Sequence, residues 1–566
     1  MYSTRTLLHT FLLIIFLATT GCAEKPEAQA VPSEPALPTR TALDDYVAKP
    51  DDSYRWEVSS SVTEEGVRTV VIDMVSQSWR TKEDVDRTEW RHWLTLCIPE
   101  QIDSRVGGLM IGGGVNGKEA RSSERIAAIA RATNTVMAQL DTVPNQSLMF
   151  HGDGKQRTED EIVAYTWDQY IKTGDETWPL FNPMVKSAVR AMDTITAFLA
   201  SEAGGGHQVD QFVLSGASKR GWTTWLTGAV DNRVVGIIPI VIDVLNAQVS
   251  MLHHFEVYGF WAPTIGDYVQ HKIMERMNEP RMHQLYQLID PYQYRHRLDM
   301  PKLILNATGD QFFLPDSSKY YWDDLIGDKF LRYVPNGDHG LGGTDAFESV
   351  LAFHYLISHG KEVPTLSWTE GEDGTFIVSC EKKPQEVRLW YATNPEARDF
   401  RLETLGPEYS SMLLNPRADG KYVGKAGPPE QGWTAYFAEA TFDVGAPTPL
   451  KLTTSVKILP EVEPYKGKDP SQPATLTILC TAPNEQAANS MTDQVKGMLT
   501  DKGLIAGRVT VKTRGTRCYI NLEPKGDFRE TLRLITIFLG TLNCREFAYQ
   551  IESGSEITFP PLQQTR

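Results

Sequence analysis

Between residues 43 and 360, short apolar runs alternate with amphipathic stretches. Thr69–Met74, Trp93–Ile98, Gly108–Ile111, Val136–Leu140, Gln211–Leu214, Val235–Ile242, Lys302–Ala307 and Phe330–Val334 read as strands. Several are continuously apolar, as expected of strands covered on both faces. Between them, Met184, Val185, Ala188, Val189, Met192, Ile195, Phe198 and Leu199 recur at helical spacing, with Lys186, Arg190 and Asp193 on the other side. The alternation predicts an α/β class with a mostly parallel, doubly wound sheet that begins with antiparallel strands. Val244–Leu298, rich in His, Tyr and Met, breaks the rhythm and reads as a helical cap over about residues 244–300.

After Pro364 the pattern turns to strands broken by Gly and Pro. Thr375–Ser379, Glu386–Trp390, Thr434–Phe442 and Leu450–Ile458 carry it, with no good helix, and a small β-sandwich is expected over 363–462. Residues 463–473 read as a linker. The last block, 474–554, runs β (Ala474–Cys480), α (Asn484–Lys502), β (Arg508–Lys512), β (Arg517–Leu522), α (Phe528–Leu542), β (Glu546–Ile551). That is the order of a ferredoxin-like α+β domain, usually an accessory module whose partner its fold does not name. A tail, 555–566, follows.

The first 22 residues depart from this globular pattern. Arg5 precedes a 12-residue apolar run, Leu7–Ala18, and then Thr19, Thr20, Gly21 and Cys22. The run is short for a membrane span and fits an export signal. Its ending resembles a bacterial lipoprotein signal in which Cys22 is lipidated, although Thr19 stands where Leu is usual. Ordinary signal cleavage is the alternative. Residues 23–40, rich in Pro, Ala and Glu, read as a tether, which leaves the α/β domain over 41–362. An extracytoplasmic, lipid-anchored protein is therefore expected. The whole chain of 566 residues carries a formal charge of −16, which argues against nucleic-acid partners. Six cysteines occur, none in C-x-x-C spacing, so no metal site is signalled and no cofactor is expected. Cys480, Cys518 and Cys544 are close enough in sequence to form one disulfide in an oxidising compartment, or to be buried thiols.

The strongest chemical signal is Phe212-Val213-Leu214-Ser215-Gly216-Ala217-Ser218-Lys219-Arg220-Gly221: a strand, a tight turn with Ser218 at its tip, then a helix. A nucleophile elbow is strained and crowded, which accounts for Gly216 two residues before the serine. Two residues after it, Arg220 replaces the usual small residue, and Gly221 follows. Asp310 lies past strand Lys302–Ala307 and His339 past Phe330–Val334, at spacings of 92 and 29. Ser218, Asp310, His339 is the chain order of an α/β-hydrolase triad, with His339 as base and Asp310 fixing its tautomer. Asp243 is a rival acid, whereas Asp338 reads as a turn residue. The backbone N–H of Lys219 and donors in the Gly112-Gly113-Gly114-Val115 loop, Gly113 and Gly114 foremost, would form an oxyanion hole. Gly112–Lys118 also matches a phosphate-binding loop, but Glu119 stands where Ser or Thr would hold Mg²⁺, and that reading is rejected. Lys219 and Arg220 would support an anionic group, or Arg220 would reach a buried carboxylate pair that braces the elbow. His253, His254, Glu256, Tyr258 and Trp261 of the cap would line the entrance and bind substrate, or pack the insertion.

Leu43-Asp44-Asp45-Tyr46-Val47, Asp175-Glu176-Thr177-Trp178-Pro179, Pro183-Met184-Val185-Lys186, Pro301-Lys302-Leu303-Ile304 and Gly309-Asp310-Gln311-Phe312-Phe313-Leu314-Pro315 resemble the PhoPQ-activated pathogenicity-related protein family. The resemblance spans roughly Leu43 to Ile458 and excludes the tail after Pro473. It implies an exported α/β-hydrolase with a following β-domain, linked in bacteria to surviving host cationic peptides, and it supports Ser218, Asp310 and His339. The function expected is a serine hydrolase acting on a peptide or small acyl substrate, with a peptidase ranked ahead of a carboxylesterase. The alternative of another class is a binding protein that kept the fold and lost turnover.

Overall fold

In the computed structural model the described residues are 40–120, 124–371, 373–467, 475–502, 505–514, 516–524 and 528–552. The expected signal with Cys22, residues 23–39 of the tether, residues 468–473 of the linker and the tail lie outside them. No helix of the described residues is long and apolar enough to cross a membrane.

A nine-stranded sheet organises the first part of the chain. Its order is Arg55–Glu64, Val67–Ser78, Glu89–Pro99, Met137–Leu140, Val106–Ile111, Gln211–Ala217, Val234–Ile240, Lys302–Ala307 and Lys329–Val334. The first four strands pair antiparallel, and from Met137–Leu140 onward every pair is parallel. The central strands are apolar on both sides because helices cover both. Helices Phe181–Ala200 and Lys219–Val230 pack on one face, with Leu214, Trp225 and Leu226 in their core. Helices Glu124–Thr133 and Ala346–Ser358 pack on the other, where Ile126, Ile129, Met137 and Leu351 meet. Loops at the carboxyl ends of parallel strands thus converge along one edge, where open α/β sheets bind ligands.

Two differences from the sequence reading concern strands. Arg55–Glu64 gave no apolar signal because it is an edge strand almost wholly exposed to water. Trp56 alone anchors it, edge-on to Phe198 at 6.3 Å. Leu450–Ile458 is two strands, Leu450–Thr453 and Lys457–Leu459, each paired with Trp433–Phe442. They are separated where the Thr454 hydroxyl turns back to the Ser455 carbonyl.

Between Val234–Ile240 and Lys302–Ala307 the chain forms helices Ala247–Tyr258 and Pro280–Ile289 with short helical turns. Beyond residue 364 lie a three-stranded sheet, Leu366–Glu370, Thr375–Cys380 and Tyr422–Lys425, and a larger one built around Glu386–Asn394 and Trp433–Phe442. A helical turn, Leu402–Leu405, occurs where no helix is expected; Gly309 holds its start by accepting a hydrogen bond from the Leu402 N–H. Phe376, Val378, Leu389 and Tyr436 share one core with Phe353 and Leu356 of helix Ala346–Ser358. Buried Arg332 also pairs with Glu439, so the β-rich region is fused to the α/β body. The last block is an antiparallel sheet in the order Ile505–Arg514, Arg517–Pro524, Thr475–Thr481, Arg545–Glu552, with helices Glu485–Asp501 and Phe528–Thr541. Cys480, Cys518 and Cys544 lie in its core as free thiols, and burial raises the Cys480 pKa.

Candidate active site

Strand Gln211–Ala217 ends at Ser218, whose backbone is held at φ 59°, ψ −128°. A non-glycine residue in that region costs of order 1–3 kcal/mol and persists only when its surroundings over-determine it. Here the Ser218 N–H donates to the Ile240 carbonyl at 2.8 Å, and the Ser218 carbonyl accepts from Trp222 N–H at 3.0 Å. A Cβ on Gly216 would sit 2.6 Å from the Arg220 carbonyl oxygen, and one on Gly221 would sit 2.9 Å from the Gly216 carbonyl oxygen. The second glycine therefore falls three residues after the serine, where the helix returns onto its own strand, and the preceding position is free to carry Arg220.

Arg220 uses that freedom inward. Its Nε donates to the Val143 carbonyl at 2.5 Å, and its two terminal nitrogens grip the two carboxylate oxygens of Glu159 at 2.7 Å each. Lys219 Nζ reaches Glu159 at 2.7 Å and Asp160 at 3.1 Å. Burial alone would raise the Glu159 pKa, but the hydrogen bonds and charges of Arg220 and Lys219 outweigh it and hold the carboxyl well below its usual range. Gln146 ties this cluster to the glycine loop: its Nε2 donates to the Gly114 carbonyl at 2.8 Å and to Glu159 at 2.5 Å. A Cβ on Gly113 would strike the Arg220 guanidinium at 2.6 Å, so glycine there lets the loop lie directly on the arginine. The carbonyls of Gly113 and Gly114 are occupied by Thr142 and Gln146. Among the described residues their N–H groups, like that of Lys219, meet no acceptor. Glu159, Asp160 and Gln146 were not singled out from sequence; the only signal was the need of a buried Arg220 for a carboxylate partner.

Asp310 and His339 follow neighbouring parallel strands. Asp310 Oδ1 accepts from the Phe312 and Phe313 N–H groups at 2.7 and 3.3 Å, and Oδ2 accepts from His339 Nδ1 at 2.8 Å. That bond puts the proton on Nδ1 and leaves Nε2 as the basic nitrogen. Phe312 packs against the imidazole at 4.4 Å between ring centres, and the His339 N–H donates to the Gln311 side chain. The rival Asp243 is committed elsewhere: its two oxygens accept from Tyr321 at 2.5 Å and Tyr333 at 2.6 Å. Burial pushes its pKa up to about 7 against the lowering effect of those two hydroxyls. Asp338 accepts from the Gly340 N–H, as a turn residue does.

The residues of the insertion take the packing role. His253 is buried, with Nε2 on Asp316 at 3.0 Å and Nδ1 on Glu463 at 2.8 Å. His254 is buried and accepts from the Ala262 N–H, and burial lowers its pKa to about 3. Tyr258 and Trp261 are interior, with Tyr258 beneath the Arg401 guanidinium. The Glu256 carboxylate accepts from the Gly467 N–H. These contacts hold the insertion to Asp316, Arg401 and residues 463–467. Asp316 also binds Arg398 at 2.7 Å, so this buried charge cluster is structural. Among the described residues no His, Cys, Asp or Glu cluster suits a metal ion.

Comparison with known proteins adds a lineage to this geometry. The family described as PhoPQ-activated pathogenicity-related protein matches residues 43–401, ending short of the expected limit near residue 458. Autocrine proliferation repressor protein A of Dictyostelium discoideum is 33% identical over 456 residues, covering 75% of this chain and 92% of that protein. Solved structures with similarity include acetyl xylan esterase 1 from Thermoanaerobacterium sp. JW/SL YS485 (13% identity, 56% of this chain and 92% of that one, TM-score 0.38). A glucuronoyl esterase from Solibacter usitatus is another (13% identity, 55% and 91%, TM-score 0.32).

Proposed function

The chain belongs to the PhoPQ-activated pathogenicity-related protein family, and we propose that it is an exported serine hydrolase that cleaves an ester or amide through an acyl-enzyme. The observation that carries this reading is the backbone of Ser218, held at φ 59° at the tip of a strand-to-helix turn. At the tip of a strand-to-helix turn such a backbone lifts a side chain clear of the sheet for attack. Ser218 Oγ attacks the carbonyl while His339 Nε2 takes its proton, and Asp310 steadies the imidazolium through Nδ1. The oxyanion forms against the Lys219 N–H and the glycine-loop N–H groups of Gly113 and Gly114, each worth about 3 kcal/mol when correctly aimed. His339 then protonates the departing group, and water releases the acyl-enzyme by the same relay. Arg220 and Lys219 act as positioning residues through Glu159, not as substrate contacts.

The same reading places the body outside the cytoplasm, on a membrane through lipidated Cys22. It takes the β-rich region as a sandwich and the last block as a ferredoxin-like accessory domain. Screening the purified body against ester and peptide libraries tests the function: Ser218→Ala should lose every activity the parent shows. Full activity in that variant would overturn the assignment.

A further inference from the structure

The space around the elbow is unequal on the two faces of the sheet. On the side of helices Glu124–Thr133 and Ala346–Ser358 lies a cavity of about 420 Å³. That is within the range of small-molecule sites and has room for roughly fourteen water-sized groups. Its walls are mostly apolar, Met110, Met137, Val213, Ile238, Leu305 and Val350 among them, with Arg125, Ser215 and Thr344 also at its border, and it runs down the sheet as far as His354. His354 Nε2 is bonded to the Thr135 hydroxyl at 2.8 Å, and burial lowers its pKa to about 4, so the floor is neutral. At the upper end the lining includes His339 and Ala217, the residue before Ser218. Ala217 is exposed although Gly216 beside it is buried, because its methyl group faces this space.

A hollow of this size in a well-packed layer forfeits contacts that a filled core would keep. Its predominantly apolar walls suit hydrocarbon. Its position narrows the occupant further. His339, which hands its proton to the departing atom, lines the cavity, whereas Ser218 itself and Gly112, Gly113 and Gly114 of the oxyanion loop do not. Resting on the hydrolase reading above, we propose that this shaft receives the hydrocarbon portion of the departing alcohol, so that the substrate is an ester of an aliphatic alcohol and not a peptide. In the reaction the acyl C–O bond breaks and the alkoxide takes the proton held on His339 Nε2. Water then supplies the hydroxyl of the acid and returns a proton to Ser218.

The test compares two ester series on the full chain: acetates of ethanol, butanol, hexanol and octanol, and ethyl esters of acids of matching length. kcat/KM should rise about fourfold per methylene in the alcohol series until the shaft is full, the value expected for burying a CH2 group. It should stay nearly flat in the acyl series. Val350→Trp, which fills the shaft, should flatten the alcohol series. Should that variant fold poorly, n-octanol should still protect parent Ser218 from a small fluorophosphonate at far lower concentration than ethanol. A flat alcohol series, a rise confined to the acyl series, or faster cleavage of peptides would each overturn the proposal while Ser218 labelling upheld the hydrolase. If the fluorophosphonate left Ser218 unmodified, both readings would fall.

Discussion

Two faces of the sheet meet Ser218 in opposite ways. Toward helix Lys219–Val230 there is no spare room. Gly216 and Gly221 are in close backbone contact, Trp225 and Leu226 fill the layer, and Arg220, Lys219, Glu159 and Gln146 bind elbow and glycine loop into one charged unit. Toward helix Ala346–Ser358 the packed layer is interrupted by a cavity beside Ala217 and His339. On the proposed function the contrast separates two demands: strain at a nucleophile needs a rigid support and a substrate needs space, and each would have its own face.

The largest effect is expected where the relay itself is cut. Asp310→Asn should lower kcat by about 10⁴, with KM and melting temperature little changed, because the imidazole loses its tautomer and its counter-charge. A loss under tenfold in steady-state kinetics would mean that another acid serves His339.

Breaking the rigid face should cost less activity but more stability. Arg220→Ala leaves Glu159 without its bidentate partner and Gly113 without the surface it rests on. We expect kcat to fall about 10- to 100-fold and unfolding in urea to register a loss of about 2 kcal/mol, a buried-pair penalty reduced for the partial exposure of Glu159. Adding Glu159→Ala should recover part of the stability and none of the rate. Because Glu159 is held below its unfolded pKa, its contribution is complete above the ordinary carboxylate range and is lost as pH falls through the folded value.

The smallest effect distinguishes the two buried aspartates. Asp243, raised to about 7, has the opposite sign: its contribution is full below about 3.8 and disappears as pH rises through about 7. Asp243→Asn should therefore leave kcat within a few-fold. It should also raise the melting temperature at pH 8 relative to pH 5 when each is compared with the parent. A kinetic loss matching that of Asp310→Asn would erase the distinction.

Sequence carries these features unevenly. Strands such as Lys302–Ala307 were legible because burial on both faces leaves a continuous apolar run, whereas the exposed Arg55–Glu64 left no such trace. The elbow motif showed in its glycines, and a buried carboxylate partner for Arg220 was one of the two readings its position allowed. The identity of that partner did not show, since Glu159 is brought in by a separate helix start distant in sequence. His253 and His254 suggested an entrance by composition, but only their contacts reveal an interior role. The shaft was invisible for a simple reason: Met110, Val213, Ile238 and Val350 would read the same in a solid core.

The central claim is that Ser218 is a nucleophile activated by His339. Its most direct measurement is the rate of fluorophosphonate modification, located by peptide mass spectrometry. The account predicts one adduct per chain on the peptide carrying Ser218, absent in Ser218→Ala and slowed at least a hundredfold in His339→Gln. An unlabelled Ser218, or labelling that proceeds equally well without His339, would contradict it.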